Sequence, residues 1–280
     1  MADKFHNACK QPVTSVTLRS WNDIHSYLKP GWIYRGQKSK DWPLMTSLER
    51  CCDREQIKPK DRVFNEAELF RDFRRAYHQY ARHIPAPDST IEWISLMQHH
   101  GAPTRLLDFT YSIYVAAYFA LECADADCAV WAVRGPWALA QSIAAFHHAG
   151  KRSAKRLRMA TQEFHDKLYH ELLLKKPSTR AAVPLNPFRL NERLRTQRSA
   201  FIAPGTVSHS FMDNLYALEG YAQGNNCIKI EIPKKLRVEA IEQLFAMNIS
   251  RTSLFPGLDG YAGSLGIFHP SFRPDPYKQK

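Results

Sequence analysis

Gln98-His99-His100-Gly101-Ala102-Pro103-Thr104-Arg105-Leu106-Leu107-Asp108-Phe109-Thr110 packs two His, an Arg, an Asp, two Thr and a Gln into one short run. The residues before it predict a helix: Ser89 and Glu92 have capping-box spacing, and Ile91, Ile94 and Met97 recur every third position. Gly101 suits the position just past a helix end, and Pro103 stops the helix from resuming. Leu106-Leu107 predicts a short buried strand. A second helix follows, with Ser112 as N-cap and Val115, Ala116 and Phe119 facing inward. Polar groups therefore gather where a helix end, a turn, a strand and a new helix meet. Loops held by rigid elements are where binding and catalytic sites are built.

Toward the N-terminus, Arg62 to Arg82 reads as a long helix with Phe64, Ala67, Phe70, Phe73, Tyr77 and Tyr80 on one face and Arg71, Arg74, Arg75 and Arg82 on the other. Trp32-Ile33-Tyr34 reads as a strand ended by Arg35-Gly36-Gln37. Trp21 to Leu28 reads as a short amphipathic helix, and Val13 to Leu18 as a short strand. Thr46 to Arg50 fits a loop or a helix start.

Toward the C-terminus, Cys128 to Val133, Ala200 to Ala203 and Cys227 to Ile232 read as buried strands. Pro136 opens a helix that Gly150 closes. Lys151-Arg152-Ser153-Ala154-Lys155-Arg156-Leu157-Arg158 is the densest basic run. It leads into a polar helix through Lys176 and a linker from Pro177 to Pro187. Lys234 to Met247 is helical by pattern, and Leu254 to Gly260 opens the last helix. There is no internal repeat. The expectation is a single domain over 1–280, with 151–187 as a candidate basic helical insertion.

At 280 residues and 44% hydrophobic content, the chain can bury a substantial core. No apolar run approaches the ~18 residues of a membrane span, and the start lacks a signal-peptide apolar region, so no membrane association and a cytoplasmic location are expected. The six Cys form no CxxC pair and no zinc spacing. They are read as reduced thiols, and no metal site is expected. A net charge of +12 with a pI near 9.5 favours an anionic partner, nucleic acid first among them; the alternative is a basic surface that only confers solubility. Lys151, Arg152, Lys155, Arg156, Arg189 and Arg193 are the candidate phosphate contacts.

Tyr34-Arg35-Gly36-Gln37, Trp42-Pro43-Leu44 and the stretch from Gln98 to Thr110 together resemble the FRG-domain family, as do Ala116 to Ala120, Gln197 to Phe201 and Leu254 to Gly260. The resemblance spans roughly residues 30 to 265. The motif order is also similar to that of ADP-ribosyltransferases of the Arg-Ser-Glu type. In that comparison Tyr34-Arg35-Gly36 stands for the strand that holds NAD, Asp108-Phe109-Thr110 for the Ser-Thr-Ser strand, and Gln197 to Thr206 for the segment with the catalytic Glu. Ser199 occupies that Glu position and Gln197 the acidic position before it.

The resemblance implies an α+β fold with an ADP-ribosyltransferase-like split, mostly antiparallel sheet and packed helices. It implies NAD as substrate and ADP-ribosyl transfer in a toxin or phage-defence setting, with an antitoxin protein as a further partner; the net charge of +12 makes nucleic acid, RNA foremost, the expected acceptor. Its rivals are a non-catalytic nucleic-acid or nucleotide binding module and a nuclease built on His99, His100 and Asp108. Asp108, Gln197 and His100 are the catalytic candidates. Tyr34, Arg35, Gly36, Gln37, His99, Thr104, Arg105 and Thr110 are the candidates for holding NAD. Arg35 suits bidentate phosphate binding or a structural pair with Asp41. Gly36 would let a ligand approach the backbone. Asp108 either faces a developing cation or pairs with Arg105. Trp32, Trp93, Phe109 and Tyr34 are read mainly as core, one of them being available to stack on a base.

Overall fold

Alternating apolar residues make the centre of the fold. Trp32–Gln37 (β2) and Cys128–Arg134 (β4) pair antiparallel, with Ile33 opposite Val133 and Tyr34 opposite Ala132. Trp131 and Val133 point into one core and Cys128, Val130 and Ala132 into another, so β4 is covered on both faces. The computed structural model describes residues 13–81, 84–148, 169–170, 179–186 and 192–268. The basic run from Lys151 to Arg158, the closing Gly150, Arg189, Arg82 and Cys9 lie outside the described residues.

The other strands are Ser15–Thr17 (β1), Leu107–Thr110 (β3), Ala182–Leu185 (β5), Ser199–Pro204 (β6) and Cys227–Ile232 (β7). The seven described strands form one sheet in the order β1-β7-β4-β2-β3-β6-β5, antiparallel throughout except β1 with β7. Helices Ser47–Arg54 (α1), Arg62–Tyr77 (α2), Thr90–His99 (α3), Ile113–Leu121 (α4), Gly135–His148 (α5), Glu192–Thr196 (α6), Phe211–Tyr216 (α7), Arg237–Ala246 (α8), Arg251–Leu254 (α9) and Leu258–Phe268 (α10) pack around it. The fold is thus α+β with a mostly antiparallel sheet. No helix among the described residues is long and apolar enough to cross a membrane.

Three expectations need correction. The apolar face of α2 is as expected only in part: Phe70 and Phe73 pack against the core and Tyr77 is buried, but Phe64, Ala67 and Tyr80 are exposed and the polar Glu66 is buried. The phase is set by an ion pair through Glu66, described below. Part of the expected linker from Pro177 to Pro187 is strand β5, whose apolar Ala182, Val183 and Leu185 are buried against β6. Pro184 is tolerated there because β5 is an edge strand, where a missing N–H costs no ladder bond. Ser89 caps α3 by position only; its side chain makes no cap hydrogen bond. By contrast, the Ser112 hydroxyl does accept from Val115 N at the start of α4.

Candidate functional site

β2 shares six ladder pairs with β4, and β3 shares four with β6, but β2 and β3 meet in a single pair, Tyr34 with Thr110. The two strands part on leaving it, and a cleft of about 730 Å³ opens at the parting. Cavities of several hundred Å³ are the size that holds small-molecule ligands and cofactors. Tyr34 to Gln37 of β2, Asp108 to Thr110 of β3 and Ser199 of β6 line it, with Gln98 and His99 from the end of α3 and Ala116 and Phe119 from α4.

Arg35, Lys38, Arg50 and Arg193 all line the cleft, and Asp108 is the only carboxylate among the lining residues. Arg35 donates from Nη1 to the Asp108 carbonyl at 2.7 Å and sits 4.0 Å from its carboxylate, so its carboxylate neighbour is Asp108 and not Asp41, the structural alternative. Its Nε is buried without an acceptor. Burial pushes the Arg35 guanidinium below its ordinary pKa; Asp108 opposes this and Arg50 adds to it. A bound anion would offset the cost of desolvation and the repulsion between the two arginines by favouring their charged forms.

Asp108 is held from the other side. Its Oδ1 accepts from Gln98 Nε2 at 2.6 Å, and Gln98 Oε1 in turn accepts from the Thr104 hydroxyl. That hydroxyl also accepts from Leu106 N at 3.2 Å. Gln98 is thereby fixed in one orientation, although the Asp108 side chain stays 60% exposed at the cleft edge. His99 lines the cleft; burial, His100 and Arg193 together hold its imidazole below the usual pKa.

Residues 30–128 match the family model described as FRG domain. The chain carries an FRG domain. No curated protein and no solved structure matches the chain. The FRG domain segment contributes Arg35, Lys38, Arg50, Gln98, His99 and Asp108, whereas Arg193, Gln197 and Ser199 close the cleft from beyond the matched residues.

Several residues of the FRG domain expected to touch a ligand have other work. Arg105 is a core residue: Nε donates to Glu66 Oε1 at 2.5 Å, Nη2 donates to Glu66 Oε2, and the side chain is fully buried. Burial disfavours its charge, but Glu66 and Tyr169 together more than offset this and raise its pKa. Arg105 therefore pairs with Glu66 and not with Asp108. Thr104 is buried and does not line the cleft; its backbone N and O bond to Ser47 Oγ and Leu48 N, holding the start of α1. His100 turns away from the cleft to a groove with Phe73, Tyr77 and Tyr80, its ring edge-on to His99, as consecutive residues at a helix end must diverge.

Gly36 borders the cleft, yet its missing side chain serves packing. A Cβ there would collide with Ala116 O and lie 2.6 Å from Ala120 N, so only Gly lets α4 lie on β2. The Tyr34 ring is buried, its hydroxyl donating to Tyr27 O at 2.8 Å. Gln37 Nε2 donates to Pro43 O at 3.0 Å and secures the following turn. The Thr110 hydroxyl donates to Gln197 O at 2.7 Å and accepts from Ser112 N at 3.0 Å. The Gln197 amide nitrogen donates to Leu254 O at 3.1 Å, which commits one end of its side chain.

Arg193, expected on a nucleic-acid face, lines the cleft with its guanidinium 4.7 Å from the Phe255 ring centre. Arg251 covers the same ring at 4.8 Å and pairs with buried Glu122 at 2.7 Å. Lys151, Arg152, Lys155, Arg156 and Arg189 lie outside the described residues. Sequence reasoning missed Lys38, Trp42 and Arg50. The available signal was their place around the Trp42-Pro43-Leu44 motif, with both cations within fifteen residues of Arg35.

Proposed function

We propose that this cleft binds NAD and that the protein transfers ADP-ribosyl groups to nucleic acid, RNA foremost. One observation carries the reading: the three segments that resemble the transferase motifs, Tyr34 to Gln37, Asp108 to Thr110 and Gln197 to Ser199, border one cleft where four cations face one carboxylate. The opening between β2 and β3 supports an ADP-ribosyltransferase-like sheet in the same terms. Arg35, with its buried unbonded Nε, is the pyrophosphate ligand. Guanidinium groups bind phosphate oxygens bidentately.

In the transfer, the bond between C1′ of the ribose and nicotinamide breaks, and nicotinamide leaves with the electron pair. The acceptor nucleophile bonds to C1′ and gives its proton to solvent. Ser199 stands where the resemblance expects Glu and carries no charge, so Asp108 faces the positive charge that develops on the ribose. A fixed carboxylate aimed at a charge that appears only in the transition state lowers the barrier without tightening substrate binding. The net charge of +12 suits a polyanionic acceptor.

Incubation with NAD labelled on the adenosine, in the presence of total RNA, DNA or protein, tests the reading. Label on RNA with stoichiometric nicotinamide release is expected. Asp108→Asn should lower turnover by about 10²–10³ while NAD binding stays near the parent value. Binding of NAD without nicotinamide release would leave a non-catalytic nucleotide module, a reading favoured by Ser199 and by the exposure of Asp108.

A further inference from the structure

The four aromatic residues read from sequence as core or stacking candidates are all buried: Tyr34, Trp32, Trp93 and Phe109 are at most 8% exposed. A fifth, Trp42, is 55% exposed and lines the cleft. A tryptophan left largely in water on the rim of a pocket is the informative exception to the burial of large apolar groups.

The turn that presents Trp42 is held at every side. Trp42 N donates to Ser39 O at 3.4 Å, and Gln37 Nε2 holds Pro43 O at 3.0 Å. Leu44 is anchored in the core. Arg50 Nη1 donates to Met45 O at 2.7 Å, which ties that guanidinium to the same segment. Lys40 pairs with Asp127 at 3.0 Å and fixes the turn to the start of β4. Among the described residues, Trp42 makes no ring or cation contact, so the ordered turn presents an indole face that no described aromatic or cation covers.

We propose that Trp42 is the stacking platform for the base of the bound nucleotide, with Lys38 and Arg50 beside it taking the adjoining phosphate. The inference rests on the nucleotide reading of the cleft and names the moiety that gives it selectivity. An indole face stacks on any base, and neighbouring cations supply the charge that the phosphate needs. A rigid turn makes this contact without the entropic cost of ordering a loop.

Calorimetric titration of the full chain with NAD, AMP and ribose 5-phosphate tests it, because the last two differ only in the base. Trp42→Ala should weaken NAD and AMP binding about 5- to 150-fold, the range lost when a stacked aromatic is truncated. It should leave ribose 5-phosphate unchanged, and Trp42→Phe should restore most of the loss. Arg50→Ala should weaken all three. Unchanged NAD affinity in Trp42→Ala overturns the proposal, as does an equal loss for ribose 5-phosphate, which would make Trp42 a prop for the cations. Nicotinamide release, measured on the same proteins, separates the two readings. No release with base-selective loss leaves the stacking intact, while release with normal NAD binding by Trp42→Ala removes the stacking alone. Failure of the unaltered chain to bind either NAD or AMP overturns both.

Discussion

Replacing Glu66 by Gln keeps the volume of the side chain and removes its charge, leaving the Arg105 guanidinium in the core without its counter-ion. The side chains are 0% and 9% exposed, so water cannot take over the lost interaction. The backbone carbonyl of Pro204 is 3.4 Å away and supplies at most a weak hydrogen bond. Removing one partner of a buried ion pair costs about 3–5 kcal/mol. Against a total stability of about 5–15 kcal/mol, that is a large share. Urea unfolding followed by tryptophan fluorescence and circular dichroism should show Glu66→Gln with a much lower midpoint and an unchanged slope. Replacing the pair together, Glu66→Leu with Arg105→Met, should recover most of the loss, because an apolar pair of similar volume leaves no buried charge. A single variant within about 0.5 kcal/mol of the parent would refute the claim that this pair fixes α2 to the segment that leads into β3.

Gly36→Ala should lower the melting temperature sharply or abolish soluble expression, since its Cβ meets the backbone of α4 rather than a side chain that can move; expression and thermal melts check this. Arg35→Ala should fold normally and lose NAD affinity by about 10- to 100-fold, the share of a charge-assisted hydrogen bond, measured by calorimetry. Glu49 is buried, which pushes its carboxyl up to about 7 despite the hydrogen bond it accepts from Phe211 N. Its folded form thus binds a proton more readily than the unfolded chain between pH 4.5 and about 7, and stability should fall as pH rises through that window. At about 1.4 kcal/mol per pH unit the loss is about 3 kcal/mol at most, and Glu49→Gln should flatten that part of the profile in urea titrations at several pH values.

What the sequence made legible is local. The helix before Gly101, the strand at Leu107, the cap at Ser112 and the strand from Cys227 to Ile232 depend on residues within a few positions of one another, and periodicity shows them. Arg105 and Glu66 are 39 positions apart, and nothing in the chain said which acid would meet that guanidinium. The apolar face of α2 was accordingly legible only in part: Phe70, Phe73 and Tyr77 turn inward as read, but a buried Glu66 counts as polar in any hydrophobic periodicity. Gly36 was read for its freedom toward a ligand, whereas its reason lies in α4, far along the chain. The cleft was half legible: Arg35, Asp108, His99 and Gln197 converge as expected, but exposure singles out Trp42, and exposure is a property of the folded chain.

The single Tyr34–Thr110 bridge has a consequence for how the gene can be cut. The strands on one side of it are β1, β7, β4 and β2, and those on the other are β3, β6 and β5. The chain passes between the two sides four times, so neither is a contiguous segment. A fragment ending at residue 128, where the family match ends, would keep β2 and β3 and lose β4, β6 and β7. Its two surviving central strands would be joined by one ladder pair, with every other edge bare. The recognisable third of this protein is therefore a signature and not a folding unit, and expression trials that trim the chain to it should yield aggregates.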